Sequence, residues 1–275
     1  MTAKTWFITG ASSGFGRAFA DYALAQGHNV VATARRTAPL QELARLAPER
    51  VQTLMLDVTH PDDAERAVAA AVARFGRLDV VINNAGFGVV GAFEETSDEA
   101  LRAQMETNFF GAMNVTRAVL PTLRAQKGGA IVNISSLGGQ LSFAGFSAYS
   151  ASKFALEGAS EALAQELAPF GIKVLIVEPG QFRTDLAGSG MRHMPALADY
   201  GEVVGPVRAF ARSMHGSQPG DPNRAAAAIE VALEAEHTPL RLPLGADAVD
   251  AIRDHSEKLL ADLEAWETLA RDTSF

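Results

Sequence analysis

Thr9-Gly10-Ala11-Ser12-Ser13-Gly14-Phe15-Gly16 spaces its glycines as G-x-x-x-G-x-G. An apolar run, Thr5–Thr9, leads into it, and a helical pattern, Gly14–Gln26, leaves it and stops at Gly27. Such spacing lets a chain turn sharply out of a strand. It also keeps side chains out of the space between backbone and phosphate, and lets the helix pack close to the sheet. The helix N-terminus then offers free N–H groups and partial positive charge to an anion. A glycine-rich loop by itself can be a plain turn; between a strand and a helix it reads as nucleotide-binding. No Gly-Lys-Ser/Thr follows, which disfavours a triphosphate P-loop.

The same alternation continues outward. Apolar runs at Asn29–Ala34, Val51–Leu56, Leu78–Asn83, Ala130–Ser135 and Lys173–Glu178 do not alternate with polar residues, as expected of strands buried on both faces of a parallel sheet. Helical patterns separate them. Pro61–Phe75 begins on Pro with Asp62 and Asp63 behind it and ends at Gly76; Ser97–Ala125 begins on a capping Ser; Tyr149–Phe170 ends at Gly171. The repeating order predicts an α/β fold, a Rossmann-type doubly wound parallel sheet in three α/β/α layers. One domain spans 1–275. It includes a Gly-, Pro- and Met-containing flap at 186–222, a helix at Asn223–Ala235, a short strand at Leu240–Leu242 and a charged amphipathic helix at Ala246–Arg271.

The 275 residues carry a net charge of -8, which repels phosphate backbones and anionic lipid and argues against nucleic-acid or membrane binding. With no cysteine, disulfides, thiolate metal sites and cysteine nucleophiles are excluded. The six histidines show no ligand-like clustering, so no metal is expected. No apolar stretch reaches the roughly 18–20 residues of a membrane helix, and too few residues precede the first strand for a leader. A cytoplasmic location is the expectation.

Strand two ends Ala34-Arg35-Arg36. An NAD site usually carries an acid there for the ribose 2′-hydroxyl. An arginine instead suits a 2′-phosphate through charge-assisted hydrogen bonds, so the expected cofactor is NADP(H); the alternative is surface arginines at a strand end. Asp57 either bonds the adenine or caps a loop. Asn83, Asn84, Ala85 and Gly86 end strand four and either order the sheet or line the cofactor. Asn108 sits inside a helical pattern, an unfavourable place for Asn, and suggests a bend or a held water.

Tyr149 and Lys153, at i and i+4, share a helix face. An ammonium there favours tyrosinate and is expected to pull the phenol below its usual pKa. Ser136, just past strand five, falls at the same carboxyl edge as the glycine loop. It either binds a substrate oxygen or ends the strand.

Taken in order, Thr9-Gly10-x-x-x-Gly14-x-Gly16, Asp57, Asn83-Asn84-Ala85-Gly86, Asn108, Ser136, Tyr149-x-x-x-Lys153 and Pro179-Gly180-x-x-x-Thr184 resemble the short-chain dehydrogenase/reductase family over about residues 4–185. The resemblance implies Tyr149 as acid/base and Lys153 as holder of the nicotinamide ribose. It further implies Ser136 orienting the carbonyl and Asn108 holding a relay water. It places Gly10, Ser12, Ser13, Gly14, Phe15, Gly16, Arg35, Asp57, Val58, Asn84, Ala85, Gly86, Pro179, Gly180 and Thr184 around the cofactor. The basic position and the long tail look like hydroxysteroid and retinol dehydrogenase-like members, and the family implies a homodimer or homotetramer. Phe143, Phe146, Phe182, Leu186, Met191, Met194, Leu197 and Met214 either line a hydrophobic substrate pocket or pack the flap onto the core. The expected activity is hydride transfer between NADP(H) and a ketone, aldehyde or alcohol. The alternative is a non-catalytic NADPH-binding sensor or scaffold, which has no use for Tyr149, Lys153, Ser136 and Asn108 together.

Overall fold

The computed structural model describes residues 3–275; Met1 and Thr2, part of the segment read as too short for a leader, lie outside the described residues. Its centre is a seven-stranded, all-parallel sheet. In chain order the strands are β1 (Thr5–Ile8), β2 (Asn29–Ala34), β3 (Val51–Met55), β4 (Val80–Asn83), β6 (Gly129–Ile134), β7 (Ile172–Pro179) and β9 (Arg241–Leu244), arranged β3-β2-β1-β4-β6-β7-β9. β5 (Gly88–Val90) and β8 (Met191–His193) form a separate two-stranded sheet.

Alternate residues of each central strand feed opposite cores, which is why the strands read as unbroken apolar runs. Trp6 and Ile8 of β1, with Val80 and Ile82 of β4, face α1 (Gly14–Ala25) and α8 (Pro222–Glu234). Phe7 and Val81 face the other way, onto α3 (Pro61–Phe75) and α5 (Gly111–Gln126). At the carboxyl end of β4 the pattern turns polar: Asn83 lies opposite Asn133 of β6 and donates to its Oδ1 at 2.8 Å and to Thr116 Oγ1 at 3.0 Å. Asn133 in turn donates to Ser160 Oγ at 2.7 Å on α6 (Ser147–Leu167).

The helix signals act as expected. Pro61 starts α3, two acids occupy its first turn, and Gly76 ends it at φ 76°. Ser97 Oγ accepts from Ala100 N at the start of α4 (Asp98–Met105). The expected helix Ser97–Ala125 is not continuous. Glu106–Phe110 widens into a π turn, where Gly111 N–H bonds the carbonyl of Glu106, before α5 resumes. Helix α6 begins two residues ahead of the predicted Tyr149, so the tyrosine sits in its first turn, and the last predicted residues form a separate turn, Ala168–Phe170.

Short α2 (Gln41–Leu46), after a turn at Ala38–Leu40, was not legible in the sequence. The flap contains β8 and α7 (Gly201–Ser213). The last helix, α9 (Ala246–Arg271), buries only Ala248. Leu259, Leu260, Leu263 and Trp266 remain more than half exposed, so they do not cover this chain's core. Among the described residues no helix is long and apolar enough to cross a membrane.

Candidate active site

Parallel strands deliver their carboxyl ends to one edge, and the order reverses between β1 and β4, whose chains continue to opposite sides. The glycine loop after β1 lies at that crevice. Gly10 has φ 67°, in the left-handed region, and Asn84 Nδ2 donates to the carbonyl of Thr9 at 2.8 Å, while Thr9 Oγ1 accepts from the amides of Asn84 and Ala85. Asn84 and Ala85 thus clamp the loop from β4. A Cβ on Gly16 would press into the Gly10 carbonyl and lie 2.6 Å from Asn84 Nδ2, so only glycine lets α1 approach. Ser13, with extended backbone, caps α1 without a side-chain bond, no acid occupies the first turn, and Ser12 is partly exposed beside it. This concave, amide-rich helix start fits a pyrophosphate. Thr184 stands over it, its Cβ 3.4 Å from where a Gly14 Cβ would be.

Arg35 and Arg36 are exposed at the end of β2. Next to them, burial raises the Asp57 pKa, but hydrogen bonds from Thr59 N (3.0 Å) and Thr59 Oγ1 (2.8 Å), with the Arg35 charge, hold it below the usual carboxylate range. Asp57 therefore caps its own turn with one oxygen. Val58 turns inward: its side chain joins the core and its carbonyl accepts from Asn114. Phe15 stacks on Phe19 and meets Phe182 at a tilt, so its side chain is taken up by the core and its backbone faces the loop. Pro179 ends β7. Gly180 donates to the Leu244 carbonyl and has the Asp247 carboxylate where a Cβ would be, while Asp247 Oδ2 accepts from Gln181 N at 2.8 Å. Asp247, at the start of α9, was missed in the sequence because its partner is 66 residues away.

The Tyr149–Lys153 pair lies beyond β6, across from this cradle. Ser136 is extended and accepts from Gly138 N at 3.1 Å, and its hydroxyl favours the charged form of the neighbouring Tyr149 phenol. A Cβ on Gly138 would stand 3.3 Å from the Tyr149 ring and 3.5 Å from Ser136 Oγ, so the two side chains converge beside this glycine. Lys153 is buried, donates to the Ile134 carbonyl at 2.8 Å, and has Nζ 5.7 Å from the Tyr149 ring centre. The expected lowering of the tyrosine pKa is not found. Burial pushes the phenol up, with only the Ser136 hydroxyl opposing it. Burial also brings Lys153 down to about 8, partly offset by the charge of Glu157. The desolvation that disfavours tyrosinate weakens the very ammonium expected to stabilise it.

Asn108 occupies the π turn. Its Oδ1 accepts from Phe87 N (3.1 Å), and its Nδ2 donates to the Phe87 carbonyl (3.0 Å) and to Ser152 Oγ (3.2 Å). The amide thus bends the helix and ties β5 to α6, with Gly86 leaving it room. Above the tyrosine, Met191 of β8 and the Tyr149 ring both border the space beside Gly88. Nothing local in Gly88–Val90 or Met191–His193 marks these three-residue strands, which exist because the flap folds back over the site.

A family model for short chain dehydrogenases matches residues 4–194. The chain belongs to that family. An oxidoreductase of Botryotinia fuckeliana is 42% identical over 97% of this chain and 98% of its own. A 3-ketodihydrosphingosine reductase of Bacteroides thetaiotaomicron is 46% identical over 67% of this chain and 66% of its own. The crystal structure of a short-chain dehydrogenase from Streptomyces avermitilis, 53% identical, superposes over 100% of both chains with a TM-score of 0.94. This short-chain dehydrogenase is an oxidoreductase with the Rossmann-type fold of its relatives.

Proposed function

We propose that this enzyme interconverts a ketone or aldehyde and an alcohol using NADP(H), with Tyr149 as general acid/base. The observation that carries the reading is the convergence of Ser136 Oγ and the Tyr149 phenol around Gly138, with Lys153 behind them and the glycine cradle along the same sheet edge. Bound NADPH supplies the hydride. Ser136 and Tyr149 bond the carbonyl oxygen, and Tyr149 gives it a proton. A phenol whose pKa is raised by burial is protonated at neutral pH, which suits donation and hence the reductive direction. Asn108 positions Ser152, whose Oγ donates to the Tyr149 carbonyl at 2.7 Å.

Exposed Arg35, where the chain leaving β2 carries no acid, favours a 2′-phosphate. Gly10, Ser12, Ser13, Gly14, Gly16, Asn84, Ala85, Gly86, Pro179, Gly180 and Thr184 frame the rest of the cofactor, with Phe15 and Val58 limited to their backbones. The relative named for reducing 3-ketodihydrosphingosine supports a hydrophobic keto substrate, as do Met191 over the tyrosine and the half-exposed Phe143 at 51%. The half-exposed leucines and tryptophan of α9 suit a subunit interface in a cytoplasmic homodimer or homotetramer.

The test follows reduced-nicotinamide absorbance with NADPH and NADH against small and bulky ketones. Turnover is expected with NADPH and is expected to fall by about 10²–10⁴-fold in Tyr149→Phe. Equal use of NADH removes the argument from Arg35, and turnover intact in Tyr149→Phe removes the mechanism.

A further inference from the structure

Behind Lys153 lies a group of polar side chains that the reaction as proposed does not use. Glu157 follows Lys153 by one turn of α6 and is 4% exposed; Glu178, the penultimate residue of β7, is 1% exposed. Two nitrogens serve both carboxylates. Arg241 Nε on β9 lies 3.1 Å from Glu157 Oε2 and 3.5 Å from Glu178 Oε1. Gln140 Nε2, in the turn that follows Ser136, donates to Glu178 Oε1 at 2.8 Å and to Glu157 Oε2 at 3.4 Å. Glu157 Oε1 and Ser135 Oγ are buried with no hydrogen-bond partner. The other arm of Arg241 goes to Glu161 at 3.1 Å. The charged groups facing the pair are therefore Lys153 and Glu161 from α6 and Arg241 from β9. Asp247 of α9 is engaged with Gln181.

Two buried carboxylates with a single partly exposed guanidinium, itself shared with Glu161, cannot both carry full charge at low cost. Carboxylates so placed relieve that cost when one of them keeps its proton.

We propose that Glu157 and Glu178 share one proton near neutral pH, and that the negative charge of this pair, one helical turn from Lys153, keeps the lysine ammonium protonated. Glu157 is thus a positioning residue for the proposed active site, and Glu178 sets its charge. Glu178 also holds Gln140, and with it the turn that carries Ser136. Burial and the neighbouring Glu157 charge raise Glu178 to about 7, and burial raises Glu157 in the same direction. The pair titrates as a unit, so its charge grows over the pH range in which Lys153 begins to lose its proton, near 8.

The function assigned to the pair rests on the reductase reading, but its titration does not, so the test uses the intact protein without cofactor or substrate. NMR follows the side-chain carboxyl carbons of glutamate and the ε-carbons of lysine against pH, with assignment by single substitution. One glutamate is expected to titrate near neutrality in the wild type. In Glu178→Gln the surviving Glu157 drops back toward the ordinary carboxylate range. In Glu157→Gln the Lys153 midpoint falls by about one pH unit, a tenfold change in its dissociation constant, as loss of a charge one turn away dictates. If Glu157→Gln fails to fold, Glu178→Gln still decides whether the proton is shared, and Glu157→Met, which removes the same charge with an apolar side chain of similar length, carries the lysine arm. Both glutamates titrating below about pH 5 in the wild type, or a Lys153 midpoint unmoved by loss of the Glu157 charge, overturns the proposal. A failure to reduce any ketone, with these titrations as expected, overturns only the reductase reading.

Discussion

Replacing Gly16 by Ala tests the claim that the glycine loop is set by packing as well as by its ligand. Gly16 is the third residue of α1. An added methyl would meet the Gly10 carbonyl and sit 2.6 Å from Asn84 Nδ2, inside the 3.0 Å that real Cβ atoms keep. Both neighbours are fixed, because Asn84 already donates to the carbonyls of Thr9 and Gly10. The helix must therefore lift from the loop. Overpacking of this kind costs about 1–3 kcal/mol, against a helical gain of at most ~1 kcal/mol from losing glycine flexibility. The expected net loss is about 1–2 kcal/mol, a urea midpoint lower by about 0.5 M for a slope near 3 kcal/mol/M. Gly158 is the control: it lies in α6, is exposed, and has nothing within 4 Å of an added Cβ. Gly158→Ala should gain about 0.5–1 kcal/mol. NADPH binding, read by nucleotide fluorescence, should weaken about tenfold in Gly16→Ala, equivalent to ~1.4 kcal/mol, and be unchanged in Gly158→Ala. A Gly16→Ala protein as stable as the wild type, with full binding, would refute the packing argument.

Tyr149→Phe should lower turnover by about 10²–10⁴-fold while leaving cofactor affinity near that of the wild type, read as kcat against a directly measured Kd. Arg35→Ser should weaken NADPH binding by about 10–100-fold, the worth of a charge-assisted hydrogen bond, with NADH unaffected; parallel losses for both cofactors would contradict it. Reduction should decline as pH rises through about 8, where Lys153 loses its proton, and Glu157→Gln should move that limb to lower pH. Burial and the Glu157 charge raise Glu178 from its ordinary 4.5 to about 7 in the folded protein, so its contribution is fully present below pH 4.5 and is lost as pH rises through 7. Urea melts across that window should therefore fall more steeply for the wild type than for Glu178→Gln. Arg208→Met removes the ion pair with Glu95 (2.5 Å) and the bond to the Met194 carbonyl (2.6 Å) that fasten the flap, and limited proteolysis should then cut first between residues 186 and 215.

The parts of this fold that follow local rules were readable. β1 through α1, and α3 between Pro61 and Gly76, are marked by their own residues: buried apolar runs, glycines where φ is positive, acids at a helix start. The positions of Tyr149, Lys153 and Ser136 at one edge followed from the parallel order of the strands. What could not be read depends on distant partners. β5 and β8 pair across about a hundred residues, the π turn at Asn108 is stabilised by Phe87, and Asp247 takes its place from Gly180 and Gln181. The direction of the tyrosine pKa was misread for a related reason. The i, i+4 spacing states that a lysine is near, whereas burial, which outweighs it here, belongs to the packing of the whole site.

The amide pair across β4 and β6 has a consequence for how the sheet finds its alignment. A strand that is apolar on both faces has no wrong side, and a slip by one residue merely exchanges one branched aliphatic neighbour for another. Asn83 opposite Asn133 ends that degeneracy. In any shifted arrangement the donor of Asn83 loses Asn133 Oδ1, and the bonds onward to Thr116 and Ser160 no longer line up. Stranding buried amides costs about 1–3 kcal/mol each, enough to reject the neighbouring alignments by an order of magnitude or more. The pair works as an index mark, fixing at one point the phase of strands whose own composition leaves it free.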